Sequence, residues 1–243
     1  MGKYVFRILR FDPQKDKTPY FQEFEYESSP KDAVLDALLN IRENLDPTLS
    51  FRHSCREAVC GSCGMVINGR ITLACRTILE SLKDKLVIIE PLPNLEIQKD
   101  LMVDLTPFWQ ALREVEPYLQ PAESHPPKGY RIDAKQMEKI YQFINCILCG
   151  CCYSACPVVA RGQGYFGPAA LAKLYRFVRD PRDLRPFSQW EKIDKPQGIW
   201  GCDTVFRCHD VCPKDVRPAD GIEGLRRKLI VEKLKKVFRR KPK

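Results

Sequence analysis

Ser54-Cys55-Arg56-Glu57-Ala58-Val59-Cys60-Gly61-Ser62-Cys63-Gly64, completed downstream by Cys75, is the stretch on which the fold of this 243-residue chain turns. Its spacing, C-x4-C-x2-C-x11-C, is the plant-type arrangement that holds a [2Fe-2S] cluster. Four thiolates must converge on two irons, and backbone N–H groups must meet the charge on the inorganic sulfides. Gly61 and Gly64 suit such a loop, because glycine permits close approach and positive φ. Zinc is the alternative occupant. Zinc ribbons, however, divide their ligands between two separated C-x2-C pairs, whereas three of these cysteines crowd one loop.

On both sides of the loop the pattern is that of a small sheet. Tyr4, Phe6 and Ile8 alternate with other side chains, and Phe21 to Tyr26 is a second extended run with Phe24 and Tyr26 on one face. A helix is expected next, with Ser29 as N-cap, Pro30 at the first helical position and Asp32 closing an S-x-x-D box. Val34, Leu38, Ile41 and Leu45 would form its apolar stripe. After the cysteine loop, Met65 to Ile67 and Arg70 to Leu73 flank Asn68-Gly69, a two-residue hairpin signal. Leu86 to Ile89 supplies one more strand. These elements predict an α+β domain over residues 1–104.

From residue 105 the character changes to a helical domain over 105–243. Trp109, Leu112 and Val115 keep helical spacing, and Pro117 to Gly129 marks a long loop. Further helices are expected at about Asp133 to Asn145, Pro168 to Arg179 and Pro218 to Phe238, the last with Ile222, Leu225 and Leu229 on one face.

Eight more cysteines lie in that second half. Cys146, Cys149, Cys152 and Cys156 followed by Pro157 give C-x2-C-x2-C-x3-C-P, the bacterial ferredoxin run whose fourth cysteine ligates the other cluster. A second run in the same register would use positions 202, 205, 208 and 212, but position 205 is Val205. By the crossing rule Cys146, Cys149, Cys152 and Cys212 hold a [4Fe-4S] cluster. Cys156, Cys202 and Cys208 remain, and three thiolates with a valine at the fourth corner suit [3Fe-4S]. Cys151 has no place in the register and reads as a small buried thiol rather than a redox group. His209 can offer a hydrogen bond or a proton near the three-iron site, or be a packed structural histidine. His53 and His125 are assigned nothing.

Composition agrees with a folded protein, at 44% hydrophobic and 29% charged residues. The longest apolar runs, such as Leu86 to Ile89, fall far short of the ~20 residues that span a bilayer. The N-terminus lacks the apolar region of a signal peptide, so a cytosolic, reducing setting is expected. There, twelve cysteines are metal ligands more readily than disulfides. Part of the net charge of +9 sits in Lys233 to Lys243, readable as a solvated helix end or as a basic patch facing lipid headgroups. A nucleic-acid-binding role is disfavoured, since this cluster lies far in sequence from the cysteine loops.

The cysteine loop, Cys146-Ile147-Leu148-Cys149-Gly150-Cys151-Cys152 and Asp210-Val211-Cys212-Pro213-Lys214 together resemble the iron-sulfur subunit of succinate dehydrogenase and fumarate reductase, the respiratory complex II family. The resemblance covers nearly the whole chain. It implies an N-terminal β-grasp ferredoxin-like domain and a C-terminal helical ferredoxin domain. It also implies a flavoprotein partner with covalent FAD, and a membrane anchor with quinone and haem b at the cytoplasmic side of the inner membrane. The subunit would pass single electrons between flavin and quinone, and dicarboxylate chemistry would reside in the flavoprotein, so no catalytic residue is expected here. Ubiquinone-using members carry a tryptophan pair after the Cys-Pro and a histidine after the first cysteine of the last run. This chain has Ala160-Arg161 and Asp203, which looks closer to the menaquinone-linked fumarate reductases, as does Cys208-His209-Asp210-Val211-Cys212-Pro213. A soluble multi-cluster ferredoxin is the alternative.

Overall fold

The computed structural model describes residues 2–29, 31–121 and 126–239. The chain divides into two compact units, Met1–Leu105 with Ile147–Ala155, and Thr106–Cys146 with Cys156–Lys243.

In the first unit β1 (Gly2–Arg10) pairs antiparallel with β2 (Tyr20–Ser28), and α1 (Val34–Asn40) follows. Then come the hairpin β3 (Gly64–Ile67) and β4 (Arg70–Leu73), β5 (Leu86–Glu90), and a short separate pair, β6 (Ile97–Lys99) with β7 (Met102–Val103). The main sheet runs β2-β1-β5-β3-β4 with β1 and β5 parallel, a β-grasp arrangement. Asn68 and Gly69 both take positive φ, 47° and 74°, as a two-residue primed turn demands. Tyr4, Phe6 and Ile8 point inward with Val87 and Ile89, and Val34, Leu35, Leu38 and Ile41 are buried with them. Strand alternation and helical period therefore converge on one core.

Two local expectations fail against tertiary pairing. The helix starts at Val34, not at Ser29: Asp32 turns back, its carboxylate accepting from the Ser29 N–H at 2.8 Å and the Tyr26 hydroxyl at 2.7 Å. Ala33 is meanwhile drawn into an extended bridge with Ile78, which a helical residue could not make. Pro30 lies outside the described residues. At its other end α1 passes into a wide π turn, Ile41–Leu45, that rotates Leu45 off the stripe, leaving it 53% exposed.

Arg10, at the inward end of β1, is a charge where the alternation calls for an apolar side chain. It is 4% exposed and fully engaged, donating to Asp100 at 3.0 Å, Asp46 and Gln22 at 2.6 Å, and Thr48 at 2.8 Å. Asp100 also accepts from the amides of Phe11 and Ser50. A buried ion pair contributes little net stability, but it specifies geometry, and losing one partner costs roughly 3–5 kcal/mol. Here it ties the sheet to residues 46–50, from which the cysteine loop departs.

The second unit is helical: α2 (Thr106–Glu114), α3 (Ala134–Ile144), α5 (Pro157–Ala160), α6 (Gly167–Val178), α7 (Phe187–Trp190), α8 (Arg207–Asp210) and α9 (Pro218–Arg239), while α4 (Cys151–Ser154) belongs to the first unit. Buried along most of its length, α6 packs against α2, α3 and α9. Ile222, Leu225 and Leu229 are fully buried on α9. On α2 the inward set is Phe108, Ala111 and Leu112, with Val115 just beyond; Trp109 is turned outward, its ring edge-on to Phe108 at 5.0 Å. Of the basic tail, Lys235 pairs with Glu232 and Lys236 with Glu191, Lys233 meets Asp194, and Arg240 to Lys243 lie outside the described residues. Among the described residues no helix is long and apolar enough to cross a membrane.

Candidate metal centres

The loop of the first unit is built to hold sulfur anions. Arg56 and Ala58, neither of them glycine, take left-handed φ of 62° and 53°, and Gly61 takes 74°. Alternation of this kind turns successive amides to one side, forming a nest for negative charge. Cys55 Sγ accepts from the N–H groups of Glu57 (3.4 Å), Val59 (3.3 Å) and Cys60 (3.2 Å). Cys60 Sγ accepts from Cys55 (3.4 Å) and Ser62 (3.5 Å), and Cys75 Sγ from Ala58 (3.3 Å). Burial opposes ionisation of Cys60, yet these donors bring its thiol down to about 6. Cys63 is buried with its sulfur 3.3 Å from that of Cys75, and desolvation and the neighbouring sulfurs push it up to about 12. Four sulfurs converge here, three of them accepting backbone N–H groups, as ligands of a cationic iron centre would. The donor set fits a [2Fe-2S] cluster.

Gly61 and Gly64 serve different ends. At Gly61 an added Cβ would stand 2.7 Å from Cys149 Cβ, in addition to the backbone strain. Gly64 opens β3 without positive φ, and its Cβ would lie 3.3 Å from both the Cys149 carbonyl and Cys151 Sγ. The segment Ile147–Ala155 thus packs directly on the cysteine loop within the first unit, although it falls inside the stretch 105–243. Asn94 reinforces the packing by donating to the Ser154 carbonyl at 2.7 Å.

Cys151 is fully buried in this packing, and its bond to the Cys149 thiol, with local amides, lowers Cys149 against the effect of burial. Cys151→Ser keeps a hydroxyl donor there. It is expected to leave every cluster signal intact at a cost of about 1 kcal/mol, whereas Cys152→Ser is expected to remove the reduced four-iron signal; paramagnetic resonance on both variants is the check.

In the second unit Cys146 and Cys212 pack against one buried cluster, Phe143, Ala172 and Val216. Cys212 Sγ accepts from the Val216 N–H at 3.3 Å. Lys173 is lowered by burial while the Cys146 thiolate pulls it back up. Cys149 and Cys152 belong to the first unit.

Cys156, Cys202 and Cys208 line one recess together with Tyr165, Thr204, Val205 and Phe206. Thr204 and Phe206 take positive φ of 55° and 59° on either side of Val205, and the Thr204 N–H donates to Cys202 Sγ at 3.4 Å. Arg226 on α9 holds the loop by donating to the carbonyls of Cys202 (2.7 Å) and Ile199 (2.9 Å). Burial, and then the charge of Cys202, push Cys208 up to about 12 and move Cys156 in the same direction. Buried thiols in one recess resist ionisation until a cation joins them, and a cluster of ferric and ferrous iron meets that need. Among the described residues no three His, Cys, Asp or Glu side chains meet the geometry of a single-ion site.

His209 Nε2 accepts from the Ala219 N–H at 3.1 Å, and burial lowers its pKa. The neutral ring thus caps the start of α9 beside Cys208. His53 sits against Arg42, and His125 lies outside the described residues. Arg161 and Asp203 bond to each other at 2.5 Å. Tyr165 and Arg226 have no signal in the sequence, because segments distant from the 202–208 loop supply them; Thr204 and Phe206 lie within that loop, where no residue type announces their positive φ.

Comparison with known proteins agrees with this anatomy. Residues 5–110 match the family described as 2Fe-2S iron-sulfur cluster binding domain, and residues 142–216 the 4Fe-4S dicluster domain. The chain is 38% identical over 92% of its length to the fumarate reductase iron-sulfur subunit of Escherichia coli O6:H1, covering 91% of that protein. It is 36% identical to that of Wolinella succinogenes, with 95% and 99% of the two chains covered. To the succinate dehydrogenase iron-sulfur subunit of Coxiella burnetii it is 39% identical, with 94% and 97% covered, so identity alone does not separate the two activities. A chain of the Mycobacterium smegmatis Sdh1 complex in the apo form shares the fold, with a TM-score of 0.85 at 24% identity and 96% and 97% coverage. With this likeness running through both cysteine-bearing units, the chain belongs to the iron-sulfur subunits of the fumarate reductase and succinate dehydrogenase family.

Proposed function

We propose that this chain carries single electrons between the FAD of a flavoprotein partner and menaquinone at a membrane anchor. In this reading Cys55, Cys60, Cys63 and Cys75 hold [2Fe-2S], Cys146, Cys149, Cys152 and Cys212 hold [4Fe-4S], and Cys156, Cys202 and Cys208 hold [3Fe-4S]. Residues 1–104 are the β-grasp domain and 105–243 the helical ferredoxin domain. Bound there, the clusters supply reversible one-electron chemistry.

The observation that carries the reading is the contact at Gly61. The loop of the first cysteine set closes directly onto the backbone of Cys149, a ligand of the second, with no side chain between them. Close approach of neighbouring sets is what an electron relay needs and what a purely structural metal site does not. The residues of the chain orient and hold: amides of the cysteine loop neutralise sulfur charge, Arg226 fixes the loop that carries Cys202, and His209 anchors α9 beside Cys208.

The preference for menaquinone rests on Arg161 and Asp203. Where ubiquinone-using members have tryptophan and histidine, this chain has an ion pair, removing two neutral hydrogen-bond donors. Peripheral attachment on the cytoplasmic side, through an anchor with quinone and haem b, completes the proposal. Direction of catalysis is set by the potentials of flavin and quinone.

Metal analysis of the anaerobically purified complex tests the reading. About nine irons per chain are expected from the three cluster types, with an oxidised three-iron resonance and flavin in the same fraction. Stoichiometric zinc, or a chain released at moderate salt without flavin, would overturn it in favour of a zinc protein or a soluble ferredoxin.

A further inference from the structure

Tyr165 stands just before α6 and is 4% exposed, yet its hydroxyl makes no hydrogen bond of ordinary geometry among the described residues, and the acceptor close to it is the sulfur of Cys202. An unsatisfied buried hydroxyl costs roughly 1–3 kcal/mol, and nothing in the fold obliges a tyrosine where phenylalanine would pack. The ring cannot swing away. An added Cβ on Gly201 would lie 2.8 Å from Tyr165 Cδ2, so one edge of the ring lies against the backbone that leads into Cys202, and the neighbouring Phe166 N–H is tied to the Gln197 carbonyl at 2.9 Å. Tyr165 lines the recess of Cys156, Cys202 and Cys208.

We propose that the Tyr165 hydroxyl donates a hydrogen bond to the sulfur of Cys202 when the three-cysteine recess is filled, making Tyr165 a positioning residue that raises the reduction potential of that centre. The inference rests on the assignment of Cys156, Cys202 and Cys208 as ligands of the three-iron cluster. A phenol holds its proton at neutral pH, so the hydroxyl is available as a donor. Reduction adds an electron to sulfur and iron, and a donor held at the ligand sulfur stabilises the added charge more than the oxidised state. The buried hydroxyl, which lacks a bond of ordinary geometry, is then satisfied.

The test is Tyr165→Phe in the whole complex, which removes one oxygen and preserves the ring that Gly201 packs on. The oxidised three-iron signal should keep its amplitude, while the equilibrium constant for reducing that centre falls by up to tenfold, a shift of about 59 mV for one electron. In unmodified protein, pulsed paramagnetic resonance should detect a proton coupled to the three-iron centre that exchanges in deuterated water and is missing from the variant. Full signal with an unmoved midpoint overturns the hydrogen bond alone, as does the absence of an exchangeable proton in unmodified protein, a measurement that holds even if the variant loses its cluster. Absence of any three-iron signal from unmodified protein overturns the ligand assignment, and this proposal with it.

Discussion

Val205→Cys is expected to abolish the oxidised three-iron resonance and to replace it with a second reduced four-iron signal. Val205 lines the recess of Cys156, Cys202 and Cys208, and it stands where C-x2-C-x2-C would put a thiolate. A valine side chain has no lone pair to offer iron, so the corner lacks a protein ligand. The structure adds that Val205 is 51% exposed, so its bulk does not seal the corner against solvent; absence of a ligand, rather than exclusion of water, is the feature that matters. The positive φ at Thr204 and Phe206 holds the loop in place independently of the residue between them, so a cysteine enters without rebuilding it. Iron analysis should show a gain of about one iron per chain, as the change of cluster type requires, and electron flow to quinone should change with the new potential. An unaltered three-iron signal would mean that Val205 is not at the vacant corner.

Gly61→Ala should eliminate most of the [2Fe-2S] signal and lower the unfolding temperature of the first unit. The new methyl would meet Cys149 Cβ at 2.7 Å and Cys149 Cα at 2.8 Å, and the second of these is backbone that no rotamer change can move aside. Overpacking of this kind costs roughly 1–3 kcal/mol, and left-handed φ adds roughly 1–2 kcal/mol for a residue with Cβ. Gly69→Ala is the control. Gly69 has the same φ of 74° but nothing within 4 Å of its would-be Cβ, so only the conformational penalty applies. Thermal unfolding and spin counts of both variants separate the two effects; equal losses would show that backbone strain, not contact with Cys149, makes Gly61 necessary.

Patterns carried by neighbouring residues are legible in the amino-acid sequence by itself. Cysteine spacing is legible because most thiolates of a cluster come in a burst from one loop, which a remote cysteine completes. Asn68-Gly69 is legible because only such residues accept the primed turn, and Ile222, Leu225 and Leu229 because the helical period alone puts them on one face. From these the α+β division and the resemblance to a family follow. What tertiary structure decided has in each case a partner distant in sequence. Arg10 is buried because Asp46 and Asp100 are waiting for it, against the alternation of its strand. The first helix begins at Val34 because Ala33 is claimed by Ile78, which outweighs the capping pattern at Ser29. Arg56 and Ala58 adopt left-handed backbone with no residue type to announce it, because amides aimed at sulfur offset the strain. The segment Ile147–Ala155 joins the first unit because two glycines leave room for it. Spacing along a chain marks which atoms are candidate ligands, since cysteine bursts are a local pattern; what surrounds them, as at Tyr165, depends on which distant surfaces pack together, and that is settled only by the folded whole.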